Sequence, residues 1–361
     1  MRRGREMTGH PLFGNIVAQV LFWIVINSCF AFFIFLLLQS LTSYIVVSFH
    51  LNFRLLLTLM LLLAGFHGVL LGISNYLIDR LVFVLNTLWQ RVVIQMVVSI
   101  LLFILTFVLI RFLLTYTFFS GIGPLPDRSA TYWNEFFNII FFQYVTGSIL
   151  SGLGVQVIRK YGRDIFLPVV LGIYKRPREE SRIFMFLDLK SSTALAEQLG
   201  HISYSLFIRQ FIFDVNHCLH RHHADIYQYV GDEVVLTWKR SERNAITALN
   251  FYFACQLRIK ERTKYYTKTF GVVPVFKAGV DAGMVTAVEI GDMKRDIAYH
   301  GDTLNTAARI QSACNSTGQL LLLSRAFADD LGTNSGYSLL SLGTLVLRGK
   351  EKAVAIFTIR N

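Results

Sequence analysis

The chain has 361 residues, a formal net charge of +12 and 53% hydrophobic residues, with a mean hydropathy of +0.49. Only eight charged residues stand between Pro11 and Arg159, against 46 from Arg159 to the end. This segregation excludes both a disordered chain and a single soluble domain, and predicts an apolar membrane half followed by a polar folded half.

Four stretches of the first half are long and apolar enough to span a bilayer, which takes about 20 residues: 16–38, 55–73, 92–119 and 136–158. The first is too long, and lacks the small-residue site, for a cleaved signal peptide. Arg2, Arg3 and Arg5 precede it, Arg80 and Arg91 lie between the second and third stretches, and Arg159, Lys160, Arg163, Lys175, Arg176 and Arg178 follow the fourth. The opposite loops offer Arg54 and Arg128. The positive-inside rule then predicts a multi-pass inner (plasma) membrane protein with both termini and the second half in the cytoplasm. Contact of these bases with anionic lipid accounts for much of the net charge. The sequence has no nucleic-acid-binding motif, so no nucleic-acid partner is expected.

Two polar residues fall inside spans. His67 is read as hydrogen-bonding within the bundle and Arg111 as snorkelling, since no second ligand-type residue stands at a matching depth. Cys29, Cys218, Cys255 and Cys314 show no CxxC spacing and predict reduced thiols. The expected organisation is a membrane domain over 1–158, a basic, proline-containing connector over 159–181 and a folded domain over 182–361.

The second half alternates in period. A buried strand is expected at 183–187, a helix over 193–221, a hairpin of strands 226–230 and 234–238, a helix over 241–265 and strands at 275–282 and 286–290. A helix over 302–316 with Asp302 as its N-cap follows, then strands near 320–323, 338–347 and 353–359. The order βαββαβ predicts an α+β, ferredoxin-like core.

In such a core, Asp188 ends the first strand and Asp232 sits at the tip of the hairpin, 44 residues later. Two carboxylates at adjacent strand ends repel unless a divalent cation lies between them. Oxygen ligands of this kind suit Mg²⁺ or Mn²⁺. The turn after Asp188, with Ser191, Ser192 and Thr193, opens a helix N-terminus whose free N–H groups suit a phosphate. Taken singly, each aspartate is equally well read as a cap or turn residue. In "HGDTLNTAARIQ", Asn305 and Arg309 stand at i and i+4 and share a helix face; an amide beside a fixed guanidinium suits a phosphoryl group. The histidine-rich "HCLHRHHAD", 217–225, is read as a polar helix end rather than a zinc site, which needs converging ligands.

"FLDLKSST", "YQYVGDEVV" and "GDTLNTAARI" together resemble, in order and spacing, the catalytic motifs of the class III nucleotide cyclases. The resemblance runs from about Arg182 to Ile359. It implies two metal ions (Mg²⁺ or Mn²⁺) held by Asp188, Leu189 and Asp232, Asn305 positioning the ribose and Arg309 stabilising the phosphate. Arg348 or Lys350 in "LRGKEK" is implied as a triphosphate contact, and a head-to-tail homodimer with two composite sites as the active form. The expected reaction converts ATP to 3′,5′-cyclic AMP and pyrophosphate. The base-reading position four before the second aspartate holds Gln228 rather than the family's lysine, and the one seven before the asparagine holds Ala298. This leaves guanylate or mixed specificity as the alternative for the substrate. A reading from another class is a membrane receptor whose cyclase-like domain only dimerises or binds nucleotide.

Overall fold

The computed structural model describes residues 11–44, 53–81, 88–113, 129–161, 171–292, 295–332, 335–346 and 353–360. Backbone contacts divide the chain into two compact units, Met1–Lys160 and Tyr161–Asn361.

Among the described residues the first unit holds four helices: α1 (Pro11–Tyr44), α2 (Phe53–Leu81), α3 (Leu88–Leu113) and α4 (Ser129–Tyr161). They stand where the four apolar stretches predict them. Among the described residues, three carry a run long and apolar enough to cross a membrane, Phe13–Leu37, Met60–Ile78 and Phe137–Val155; the apolar run described in α3, Val93–Val108, is shorter. Between helices in lipid there is little hydrophobic drive, so close backbone approach and polar pairing carry association. Gly68 and Gly72 provide the approach. A Cβ on Gly68 would stand 2.6 Å from the Val20 Cα, and one on Gly72 would meet the backbone of Ile16. Polar pairs face inward: Gln143 Nε2 donates to Asn27 Oδ1 over 2.6 Å, and Ser151 Oγ to Gln19 Oε1 over 3.0 Å. His67 is fully buried, but neither ring nitrogen meets a hydrogen-bond partner among the described residues. Its neighbours are instead aromatic, Trp23 and Tyr144, whose rings stand nearly perpendicular to its own at 4.8 and 4.6 Å. The expected hydrogen bond of His67 is therefore replaced by ring packing. The Arg111 side chain lies outside the described residues.

The second unit is built on an eight-stranded sheet with the order β2-β3-β1-β4-β6-β8-β7, β5 pairing with β4. Its elements are β1 (Arg178–Leu189), α5 (Ser192–His222), β2 (Asp225–Val230), β3 (Glu233–Lys239), α6 (Glu242–Glu261), α7 (Thr263–Phe270), β4 (Phe276–Ile290), β5 (Asp296–His300), α8 (Asp302–Thr317), β6 (Leu321–Ser324), α9 (Arg325–Leu331), β7 (Leu339–Leu345) and β8 (Val354–Ile359). The run β2-β3-β1-β4 is antiparallel at every pairing, as a ferredoxin-like core requires.

Strand alternation sorts β1 into two faces. Ile183, Met185, Leu187 and Leu189 enter the main core with Phe207, Phe211 and Val215 of α5 and Leu249, Phe251 and Tyr252 of α6. Phe184 and Phe186 enter a second core on the other face, with Tyr299 of β5 and Ala307 of α8. Asp188 follows in that second alternation. The helical layer is clipped by one carboxylate: Asp214, fully buried, accepts from Arg258 Nε at 3.0 Å, Arg262 Nη1 at 2.9 Å and the Tyr266 hydroxyl at 2.7 Å.

Four local expectations are corrected. The strands expected at 275–282 and 286–290 are one strand, because Gly283 lets the backbone run on beneath Thr303, with which a Cβ would clash. The helix expected over 241–265 divides at Arg262 into α6 and α7. Asp302 is not the N-cap of α8: Gly301 is, and Asp302 lies in the first turn, where its charge still suits the helix dipole. Two short elements, β5 and α9, went unpredicted. The second is capped by Ser324 Oγ, which accepts from Phe327 N at 3.1 Å.

Candidate active site

The antiparallel pairing of β1 and β3 sets Leu187 opposite Val234. Continuing that register carries the end of β1 alongside the turn before β3, which brings Asp188 to Asp232. Gly231 makes the turn possible with φ 64°, a left-handed conformation that favours glycine. Ser192, the first residue of α5, stands near enough to the pair for its hydroxyl to favour the charged form of Asp232. Ser191 before it adopts a left-handed φ of 59°, so the chain turns sharply from the strand into the helix.

The charges of this cluster are strained. Burial first, and then the Asp188 carboxylate beside it, push the Asp232 carboxyl above its ordinary range, with the Ser192 hydroxyl pulling the other way. Burial, Asp188 and Asp232 push neighbouring Glu233 up to about 7, against the pull of Lys277. The Tyr204 phenol is raised by burial and then by Asp232. Asp232 Oδ2 is buried and accepts no hydrogen bond from the described residues. A buried carboxylate oxygen without a donor is costly, and a cation is the partner its chemistry calls for.

The donor set fits a hard divalent ion. Asp188 and Asp232 supply carboxylate oxygens. The Leu189 side chain is a hydrocarbon without a donor atom, 1% exposed within the core, so its backbone carbonyl is the oxygen it could offer. Among the described residues no group of three or more His, Cys, Asp or Glu side chains is arranged to hold a metal. A two-carboxylate set of this kind suits Mg²⁺, which keeps waters and takes phosphate oxygens for its remaining positions. In the histidine-rich stretch, His222 Nδ1 pairs with the Cys218 carbonyl at 2.7 Å.

The other predicted residues are not gathered here. Asn305 is exposed and Arg309 half-buried on α8. Buried Ala307, Ile310, Gln311 and Cys314 mark the inward face of that helix. At 100° per residue, Arg309 points about 160° away from Gln311. Thus α8 turns Gln311 to Asp188 and carries Asn305 and Arg309 on its far side. Gln228 is exposed on edge strand β2, just past a register shift between Ile226 and Gln228. Ala298 is buried in β5, 8% exposed. Ser191 and Thr193 are exposed at the start of α5. Arg348 and Lys350 lie outside the described residues.

Sequence reasoning missed two partners of Asp188. Lys277, its register neighbour on β4, places Nζ 3.3 Å from Asp188 Oδ2. Gln311 Nε2 donates to the same oxygen over 2.8 Å. The available signal was a polar residue inside an apolar helical stripe: 307, 310 and 314 are apolar, and Gln311 falls among them.

Residues 174–361 match the family profile of the adenylate and guanylate cyclase catalytic domain. "Adenylate cyclase 2" of Rhizobium meliloti (strain 1021) is 30% identical over 224 residues, 62% of this chain and 61% of that protein. "Adenylate cyclase" of Anabaena cylindrica is 22% identical over 182 residues, 49% of this chain and 36% of that protein. The chain thus spans less than two thirds of the length of either relative. A solved bacterial light-regulated adenylyl cyclase shares the fold at 15% identity and a TM-score of 0.50, over 58% of this chain and 61% of that one. Its second half built on this sheet and matched over 174–361, the chain belongs to the class III adenylate and guanylate cyclases.

Proposed function

We propose that the protein is a membrane-bound adenylate cyclase of signal transduction, converting ATP to 3′,5′-cyclic AMP and pyrophosphate. The observation that carries this reading is the pair Asp188–Asp232, with its buried, unpartnered Asp232 oxygen at the mouth of a helix N-terminus. Two Mg²⁺ or Mn²⁺ ions held by Asp188, Asp232 and the Leu189 carbonyl would supply a lowered pKa at the ribose 3′-hydroxyl and charge neutralisation at the phosphates. The N-terminus of α5, at Ser191, Ser192 and Thr193, receives phosphate oxygens through backbone N–H groups. Asn305 orients the ribose, and Arg309 offsets charge on the reacting phosphoryl group. Arg348 or Lys350 takes the triphosphate. The 3′-oxygen forms its bond to the α-phosphorus as the bond to the β-phosphate bridge breaks. Pyrophosphate leaves, and the hydroxyl proton passes to water or a phosphate oxygen.

The active form is a homodimer with two composite sites. Within one chain, Asn305 and Arg309 lie on the side of α8 turned away from the carboxylates, which supports their service to the partner's site. The domain plan is a membrane domain over 1–158, a connector over 159–181 and a catalytic domain over 182–361, with one change: β1 begins at Arg178 and the family match at 174, so the catalytic domain takes in the end of the connector. The catalytic domain and both termini are cytoplasmic, on the distribution of basic residues, which also contact anionic lipid. In intact cells, a cysteine placed at Ser129 is expected to react with an impermeant thiol reagent, and one at Ser181 is not. The reverse labelling overturns this orientation.

ATP is the preferred substrate, with incomplete rejection of GTP as the second reading. Gln228 favours that second reading: its amide both donates and accepts, so it pairs with either the adenine 6-amino or the guanine 6-oxo group, and Ala298 adds no polar contact. A cyclase assay with ATP and GTP supplied separately tests both the activity and this choice. Gln228→Lys is expected to sharpen the preference for ATP and Gln228→Glu to move it toward GTP, each by about tenfold or more in the kcat/KM ratio. Unchanged ratios in both variants would place base recognition elsewhere, and absence of product from either nucleotide would favour a receptor without catalysis.

A further inference from the structure

We propose that Gln311 is a positioning residue that fixes Asp188 as a one-oxygen metal ligand; this rests on the reading of Asp188 as a ligand. Gln311 is 4% exposed, and burying an amide is unfavourable unless its hydrogen bonds are made. They are made in one sense. Nε2 donates to Asp188 Oδ2 over 2.8 Å, while Oε1 stands 3.4 Å from the Ser312 hydroxyl, which lies closer to the Ala308 carbonyl at 3.1 Å. The carboxylate only accepts, and this sets which end of the amide faces it. The same Oδ2 lies 3.3 Å from Lys277 Nζ, and Lys277 donates in turn to Asn315 Oδ1 at 3.3 Å. Gln311 and Asn315 stand one helical turn apart, so a single face of α8 holds both donors of this oxygen. With Oδ2 taken twice, Asp188 offers Oδ1 in a fixed direction, which suits an ion that demands near-octahedral geometry.

The placement of Gln311 is built into the backbone. Gly279 on β4 lies directly beneath α8, and a Cβ there would collide with the Gln311 backbone nitrogen and the Ala307 carbonyl. Only glycine lets the helix settle close enough for the amide to reach Asp188. The amide is also neutral. Unlike Lys277, it orients the carboxylate without adding a charge that opposes a cation, so its loss reads as lost geometry alone.

The test is a titration of nucleotide-free, full-length protein with Mn²⁺, read by the decline of the EPR signal of free Mn²⁺. Gln311→Leu is expected to weaken binding about 10- to 100-fold, the range typical of residues that orient metal ligands. In the cyclase assay the Mn²⁺ concentration for half-maximal rate rises by the same factor, while kcat at saturating Mn²⁺ stays within about twofold. Gln311→Asn, which keeps the amide but shortens its reach, is expected to behave likewise and covers the case in which leucine unfolds the protein. Asp188→Asn is the reference and is expected to lose the site. If Asp188→Asn loses Mn²⁺ while the Gln311 variants bind it as wild type does, the positioning role is overturned and the ligand assignment stands. If Asp188→Asn binds Mn²⁺ undiminished, the ligand assignment itself falls.

Discussion

Replacing Asp188 or Asp232 with alanine is expected to abolish cyclisation while leaving the fold intact. On the proposed reading each carboxylate is needed for ion binding, and an ion at a phosphoryl centre stabilises the transition state by several kcal/mol. At about 1.4 kcal/mol per factor of ten, the loss is about 10³-fold or more in kcat/KM. Removing Asp232 relieves the metal-free fold, because Asp232 is raised by burial and by the Asp188 charge beside it, whereas Asp188→Ala also takes away the partner of buried Lys277 and Gln311 and costs some stability. The metal-free melting temperature of Asp232→Ala is therefore expected to equal or exceed that of the wild type, and its Mg²⁺-dependent rise to vanish. Measuring rate and melting temperature on the same preparations decides the matter. A variant that keeps substantial Mg²⁺-dependent activity defeats the assignment, and one that loses activity only because it unfolds points to a structural carboxylate.

Mixing Asp188→Ala with Arg309→Ala is expected to restore activity to a preparation in which each variant alone is dead. The α8 helix turns Gln311 to the Asp188 of its own chain and carries Arg309 about 160° around the helix. If Arg309 serves the partner's site, the two lesions in a mixed dimer fall in the same site and leave the other whole. With random subunit exchange, half the dimers are mixed and each holds one working site, so about a quarter of wild-type activity returns. Demonstrated heterodimers without recovery would mean that each site is complete within one chain.

The sequence was most informative where chemistry and periodicity coincide. Asp188 at a strand end and Asp232 at a Gly-Asp hairpin tip were readable because they stand in order with the Asn305–Arg309 motif, although either aspartate alone also fits a cap or a turn. The alternation of short strands and long helices gave the antiparallel core, since periods of 2 and 3.6 are hard to confuse over that length. Elements held by tertiary contacts were not readable. Strand β5 exists because β4 runs far enough to pair with it, from Thr286 against His300 to Ile290 against Asp296. The continuity of β4 depends in turn on Gly283 lying under Thr303. The absence of a hydrogen bond to His67 among the described residues could not be foreseen either, because it turns on which aromatic rings two other helices bring to it.

By itself, then, the sequence determined the apolar and polar halves, the ferredoxin-like order and the identity of the two aspartates, all properties of local pattern and residue chemistry. Only the tertiary structure decided what surrounds those aspartates. Lys277 lies 89 residues from Asp188 in the chain and Gln311 lies 123 residues away. No local rule links them. Strand register delivers the first and the close seat of α8 on Gly279 delivers the second. The same helix rotation that turns Gln311 inward carries Arg309, two residues away, about 160° round the helix and Asn305, six away, about 120°.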